Sequence, residues 1–501
     1  MPKTIIQAGH STGSQISSSG SFWAPGTTLI ADSATEENRE IRMRSAGTLS
    51  NFTIYLGSNA TTGTSTFVVR VNGVDGNQTI SVSTGQTGEF TDSSNTDSIS
   101  AGDDISFEGT AASAGSMLAT IMQVMFAAGS NTVSKQVALT GRAAIADTSS
   151  YVFGMNQGST THGTVGGGYE GFVKSRVRKA GTAKNLGCHV SANSVASTST
   201  LRLRVNTANG NLAVSITAST TGTFEDTSNS DSISAGDDIN FHHTNGGSGS
   251  ITVDVMYVEY ETADSSGFIY NEDDGANGGS AGTTSWTLSG GTAYNGSEFV
   301  NHVDNLNEAY TFSNLTFNVF SNTNGTGTVT ITLRKNEADT AITVSIGAGQ
   351  TGLFEDTTNT VDFTSTDEPN FRYSSGGDGL ITWFYTGIHY TGPAVAVTDE
   401  ERYMAVNTIP NLVFPPWMTD LLNKIVGIRT NTKTIPLHRL YTELEAAFIK
   451  FSNLSYTFIN KWNYLSSSFL SRLCKTKSNY IDHYIAYHTL MTNKKWSYFN
   501  K

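Results

Sequence analysis

Asp92, Asn95, Asp97, Asp103 and Asp104 crowd one short stretch, and the same types recur as Asp226, Asn229, Asp231, Asp237 and Asp238. Oxygen-rich clusters of this kind can hold Ca²⁺, which takes about six to eight hard ligands. Asp103, Asp104, Asp237 and Asp238 are the candidate calcium ligands. The same residues have a plainer use, because Asp and Asn close Asx turns and Gly-Asp-Asp makes a hairpin or a sheet edge. No EF-hand spacing is present, so turn chemistry is the primary reading and calcium the alternative. Arg70, Arg204 and Arg334 fall on the outward face of a strand, where they can pair with the downstream acids across the sheet.

Other reactive types point away from catalysis. His242 and His243 are adjacent, so on a strand they face opposite sides and cannot easily chelate one ion. They read as loop or edge residues. Cys188 occupies an apolar slot and reads as a small core hydrophobe. Cys188 and Cys474 form neither a disulfide framework nor a zinc site. No Cys-His or Ser-His constellation repeats. The Gly-rich runs TTHGTVGGGYEG, DDGANGGSAG and GGTAYNGSEF lie between strands and precede no helix, unlike a phosphate cradle. Paired carboxylates for glycoside hydrolysis are defined in space and not by spacing. The repeated acids fall in turns, so the chain reads as non-enzymatic, with no cofactor expected.

These residues sit in a unit that occurs three times, as Phe67–Phe107, Leu201–Phe241 and Ile331–Phe371. Arg70, Arg204 and Arg334 align, as do Phe90, Phe224 and Phe354, at offsets of 134 and 130 residues. Such a period is a whole domain, since solenoid turns and propeller blades repeat at about 20–50 residues. Within the unit the period is two: Phe52, Ile54 and Leu56 alternate with Thr53 and Tyr55, and Phe67, Val69 and Val71 with Val68 and Arg70. The matching inward slots are Leu186, Cys188 and Val190, then Leu315, Phe317 and Val319. This is the pattern of half-buried strands, and Asn-Gly, Asp-Gly and Gly-Asp turns separate them. About eight strands fit each unit. The expected fold is all-β, with three tandem antiparallel β-sandwich domains of jelly-roll-like type; an Ig-like Greek key is the rival topology. Repeat 1 spans 1–130, repeat 2 131–263 and repeat 3 264–391. In repeat 3, Lys335 replaces an inward Val, and Pro369 replaces Ile105 and Ile239. A proline there marks an edge or a bulge, so this unit is expected to pack differently or to sit at an end.

Composition breaks near Gly392. Residues 392–501 hold 13 Lys/Arg and 7 Asp/Glu, about +6, leaving 17 and 36, about −19, for the rest. From Leu440 to Leu473 apolar residues step by three or four, the stripe of a long amphipathic helix. The 392–501 region is expected to be mainly α-helical, an oligomerisation or anchoring tail, or else a fused coding segment. The net charge of −13 argues against a nucleic-acid partner. No apolar run of about 18 residues spans a membrane, and MPKTIIQAGHSTGSQ lacks the apolar core of a secretory signal.

The phrases TLSN, RVNG, GxFEDTTNT and SAGDxI resemble tandem β-sandwich repeats of virion structural proteins from tailed phages and other viruses, over about 1–391. The resemblance implies a capsid-surface, tail or fibre component located in the virion or extracellular after lysis. Its partners would be other virion proteins and further copies of the chain through the C-terminal helix. It supplies no catalytic residues. The alternatives are a carbohydrate-binding adhesin recognising cell-surface glycan, which needs aromatics on one sandwich face, and a glycan-cleaving tail enzyme.

Overall fold

The computed structural model describes residues 3–16, 18, 20–26, 35–112, 115–129, 134–140, 143–146, 150–155, 163–164, 170–171, 173–272, 282–286, 288, 306–376 and 379–392. The expected helical tail after Gly392, with Cys474, lies outside them, as does most of each Gly-rich run. The described residues are all-β apart from one 3-10 turn, Glu36–Arg39. None of their helices is long and apolar enough to cross a membrane.

Residues Met1–Val395 form one compact unit. Its strands pair antiparallel, and every pairing joins strands of the same repeat. In repeat 1 one sheet runs Lys3–Gln15, Met117–Ala128, Gly47–Asn59, Gly88–Ile99; the other runs Ser21–Trp23, Asp104–Thr110, Ser65–Val71, Val74–Val82. Counting these eight in chain order, the sheets are 1-8-3-6 and 2-7-4-5. Repeat 2 gives the same two orders, from Ser134–Thr140 to Ser250–Thr262; its short Ser175–Arg176 matches Ile41–Arg42 of repeat 1, and Ala143–Ala146 and Gly163–Thr164 are added. Repeat 3 gives them again from Ser266–Glu272 to Ile381–Thr391.

The alternation sets which face is buried. Phe52, Ile54, Leu56, Phe67 and Val69 are all fully buried, as are Leu186, Cys188, Val190, Leu315, Phe317 and Val319. In repeat 1 Phe52, Ile54 and Leu56 of one sheet meet Phe67, Val69, Ile105 and Phe107 of the other in one cluster, the arrangement of a β-sandwich. The alternation slips one residue at Asn51, Asn185 and Asn314, each with φ between 53° and 55°. The ladder to the neighbouring strand shifts register there, as between Ser50 and Phe52. Each is a bulge built on a left-handed Asn, which tolerates that backbone better than most residues.

Two sequence expectations need correcting. Pro369 marks neither an edge nor a bulge. It is the first residue of Pro369–Ser375, which lies between Gly282–Trp286 and Thr328–Lys335, and a strand's first residue is a place where proline is accepted. Repeat 3 therefore keeps the strand order of the others. His242 and His243 are neither loop nor edge residues. Asp238–Thr244 lies between Ser150–Phe153 and Ser199–Val205, and both imidazoles are buried. His243 fills the core-facing slot held by Gly109 and Tyr373 in the other repeats.

The hairpin joining the fourth and fifth strands of each repeat has a two-residue loop: Asn72–Gly73, Asn206–Thr207, Asn336–Glu337. All six residues have positive φ, from 50° to 74°, the signature of a type I′ turn. Glycine suits the second position, whereas a β-branched residue there is strained. Thr207→Gly, which installs the repeat 1 residue, is expected to stabilise the protein by about 1 kcal/mol. Urea unfolding measures this, and an unchanged or lowered midpoint would contradict the strain assignment.

Candidate functional site

The four calcium candidates are engaged by donors of the chain itself. Asp103 accepts Ser100 N–H at 2.7 Å and Asn72 Nδ2 at 2.9 Å, and Asn72 Oδ1 accepts Asp104 N–H at 2.9 Å. Asp237 repeats this with Ser234 and Asn206, both at 2.7 Å, and Asp367 with Thr364 and Asn336 at 2.7 and 2.6 Å. The Asn that opens each type I′ turn thus clasps the next acidic turn. Asp104 takes a two-pronged contact from Arg42 at 2.8 and 2.6 Å, the geometry that makes Arg–carboxylate pairs strong. Asp238 is held the same way by Arg176, with Lys174 at 3.4 Å. In repeat 3 the position is Glu368, whose carboxyl is pushed up by burial and by Glu89 and Glu337. Among the described residues no three His, Cys, Asp or Glu side chains converge as a metal cage would require.

The other repeated acids join the two sheets. Asp92 lies in a sixth strand at the edge of one sheet. It accepts Thr79 N–H at 3.0 Å from the fifth strand, the edge of the other sheet. Its second oxygen accepts Ser94 N–H, Ser94 Oγ and Asn95 N–H at 3.0–3.1 Å. Asp226 makes the same contacts with Ala213, Ser228 and Asn229, and Asp356 with Thr343, Thr358 and Asn359. These hydrogen bonds outweigh burial and hold Asp92 and Asp226 down to about 2 and Asp356 below its ordinary value.

Asp97 and Asp231 form a second staple. Asp231 accepts Asn211 N–H at 2.6 Å and Leu212 N–H at 3.1 Å; Asp97 accepts Asn77 N–H at 2.6 Å and Gln78 Nε2 at 3.0 Å. The acid fits because Gly76 and Gly210 leave room. A Cβ at Gly76 would stand 2.8 Å from Asp97 Oδ1, and one at Gly210 would collide with Asp231. Repeat 3 changes both partners together: Thr340 replaces the glycine and Val361 the acid. Thr340 Oγ1 then accepts Ile342 N–H at 3.2 Å, which corresponds to Leu212 N–H in repeat 2.

Arg70, Arg204 and Arg334 pair with acids, but the acid of Arg204 and one of those of Arg70 lie upstream and not downstream as expected. Arg70 reaches Glu108 across the sheet at 2.8 Å and Glu36 at 2.7 Å; Arg204 reaches Glu170 at 2.6 Å and Arg334 reaches Asp339 at 2.5 Å. Burial pushes the Cys188 thiol up to about 12, so it stays protonated in the core.

Residues that sequence reasoning passed over bring the repeats together. The segment before the third strand of repeat 1 carries Arg42, Arg44 and Ser45 onto repeat 2. Arg44 Nε donates to Glu225 at 2.9 Å, Tyr257 Oη donates to the same carboxylate at 3.0 Å, and Ser45 Oγ donates to Glu259 at 2.8 Å. Val255 and Tyr257 of repeat 2 join the core cluster of repeat 1. Repeat 2 meets repeat 3 in the same way: Arg178 pairs with Glu355, Tyr270 Oη donates to Arg176 O at 2.8 Å, and Phe268, Tyr270 and Tyr385 join the core cluster of repeat 2. Repeat 3 in turn meets repeat 1. Asn307 Nδ2 donates to Thr53 Oγ1 at 2.8 Å, Ile5 N–H to Tyr390 Oη at 3.3 Å, and Ile5 and Met125 join the core cluster of repeat 3. The available signal was the Arg44–Arg178 match, but its partners lie 181 and 177 residues away.

No protein-family model matches the chain, and comparison with curated proteins finds no match.

The Gly210–Asp231 pair can be tested by copying repeat 3. Gly210→Thr alone is expected to cost about 2–4 kcal/mol by collision, and Asp231→Val alone about 1–3 kcal/mol by orphaning two N–H groups. The double variant is expected to lose much less than their sum in a denaturant-based double-mutant cycle; additive losses would refute the coupling. A second prediction concerns His243, which has no hydrogen bond among the described residues and is held down to about 4 by burial and by His242. The unfolded chain takes up this proton below about 6.5 while the folded chain resists it. Stability therefore falls as pH drops from about 6.5 to 4, by up to roughly 3 kcal/mol from this group. His243→Leu is expected to flatten that part of the stability-versus-pH curve, and an unaltered slope would count against the assignment.

Proposed function

We propose that the chain is a non-enzymatic structural protein of a virus, a capsid-surface, tail or fibre component. In this reading residues 1–391 are three tandem jelly-roll sandwiches closed into one pseudo-threefold body. The strand orders 1-8-3-6 and 2-7-4-5 fit a jelly roll, an architecture common in capsid and lectin domains. The observation that carries the reading is the fate of the repeated acids. The residues with the most chemistry in their types, Asp92, Asp103, Asp104 and their copies, are spent on turns, edges and ion pairs that hold the sandwich. That is the economy of a scaffold. Since a fold alone never establishes function, the resemblance of the repeat phrases to virion repeats supplies the viral context.

The basic 392–501 segment is the proposed anchor to other virion proteins or to further copies. Calcium plays no part in this reading. A glycan-binding adhesin calls for aromatic platforms, and among the described residues the large hydrophobics that stand exposed are Val74 and Leu380.

Mass spectrometry of purified virions tests the proposal. The protein is expected to co-purify with particles at stoichiometric, reproducible abundance, and removal of residues 392–501 is expected to abolish incorporation. Absence from particles would refute the structural role, and incorporation of the truncated chain would refute the anchoring role.

A further inference from the structure

Resting on the closed three-repeat reading above, the three seams are one contact made three times with different residues. Arg44, Arg178 and Asn307 hold one aligned position, three residues before the third strand of each repeat. Thr91, Glu225 and Glu355 hold another, in the sixth strand. Two seams set the first position of one repeat directly against the second position of the next, and at the third Thr53 stands between the two. Arg44 meets Glu225 and Arg178 meets Glu355. At the third seam both partners are neutral: Asn307 donates to Thr53 Oγ1 at 2.8 Å, and Thr53 Oγ1 shares a hydrogen bond with Thr91 Oγ1 at 2.9 Å.

We infer that these two positions form an address code, and that the neutral pair directs repeat 3 onto repeat 1 and onto no other face. Chain connection already places repeat 1 beside repeat 2 and repeat 2 beside repeat 3. Only the repeat 3–repeat 1 seam must be found without a linker. An Arg brought to Thr91 would exchange the half-buried Glu225 or Glu355 for the exposed carboxylate of Glu89, which Thr91 Oγ1 already contacts at 3.2 Å. Asn307 brought to Glu225 or Glu355 would leave that carboxylate without its cation. Truncating one side of a desolvated charge pair is costly because the other charge is left behind, and specificity of this kind works by penalising the wrong partner. The faces left free by the chain's connectivity therefore recognise each other in preference to the charged faces of the other seams, and the chain linking them favours the pairing within one molecule. Repeat 2 alone carries both charged halves, Arg178 and Glu225, so it is the unit whose faces match a copy of itself.

The test uses the full-length chain, with Thr91→Glu, Asn307→Arg and the double variant compared by thermal melting and light scattering. Any strain from Arg at the positive φ of Asn307 is common to the single and double variants and cancels in the cycle. Thr91→Glu is expected to lower the melting midpoint. It is also expected to raise the mass above that of the wild type as concentration increases, because the introduced carboxylate suits Arg44 or Arg178 of another copy. Asn307→Arg with Thr91→Glu is expected to restore the wild-type mass and most of the midpoint. An unaltered Thr91→Glu protein, or a double variant no better than the sum of the singles, would overturn the code. A Thr53→Cys/Asn307→Cys pair in a Cys474→Ser background separates the two possible failures. If the intrachain disulfide forms while the cycle is additive, the code is wrong and the closed body stands. If the disulfide does not form and the cycle is additive, the closed reading falls with the code.

Discussion

The carboxylate at positions 92, 226 and 356 is the contact on which each pair of sheets depends. A sandwich has two open margins where its sheets end, and backbone N–H groups there have no strand to pair with. At one margin the fifth and sixth strands lie at the edges of opposite sheets. The Asp side chain reaches from one to the other and takes the unpaired N–H of Thr79, Ala213 or Thr343. Its second oxygen takes the N–H groups of its own bulging strand. One side chain thus satisfies both edges and fixes their spacing, which in turn places the inward residues of both sheets opposite one another.

Much of the architecture was legible because it rests on alternation and on turn chemistry, both local properties. Phe52, Ile54 and Leu56, and their copies in the other repeats, are buried as their spacing requires. The type of the acidic residues was legible, but their partners were not. Asp103 closes a turn as expected, yet its link to Asn72 spans two hairpins. Asp104 and Asp238 look alike to Asp103 and Asp237 in sequence but form ion pairs with Arg42 and Arg176, 62 residues upstream. The His242–His243 pair misled because histidine is polar by type. Uncharged, its ring packs as a flat core group, and no pattern along the chain announces that state. The seams were the least legible, because their partners are separated by more than a whole repeat, 181 residues for Arg44 and Glu225 and 254 for Thr53 and Asn307.

The third repeat looked like a degraded copy, and its substitutions turn out to be matched in space. Thr340 and Val361 replace a glycine and an acid that need each other, and the hydroxyl takes over the N–H that the acid had held. Lys335, in a slot held by Val71 and Val205, sends its amine to Asp362 O at 2.8 Å and to Asp367 at 2.9 Å, with Phe363 beneath it. Pro369 opens a strand, where its missing N–H is tolerated. Identity to the other repeats has fallen at these positions while the contact pattern has been kept.

In the closed three-repeat reading proposed above, the unequal seams bear on how such a body can change. A ring of three identical chains repeats any substitution at all three contacts, so a change that weakens one weakens every one. Fusing the units into a single chain removes that constraint. The Asn307–Thr53–Thr91 contact, built of neutral side chains beside two Arg–Glu contacts, differs from them in chemistry. Each face of the body is accordingly free to drift toward a different neighbour while the other two keep the assembly closed.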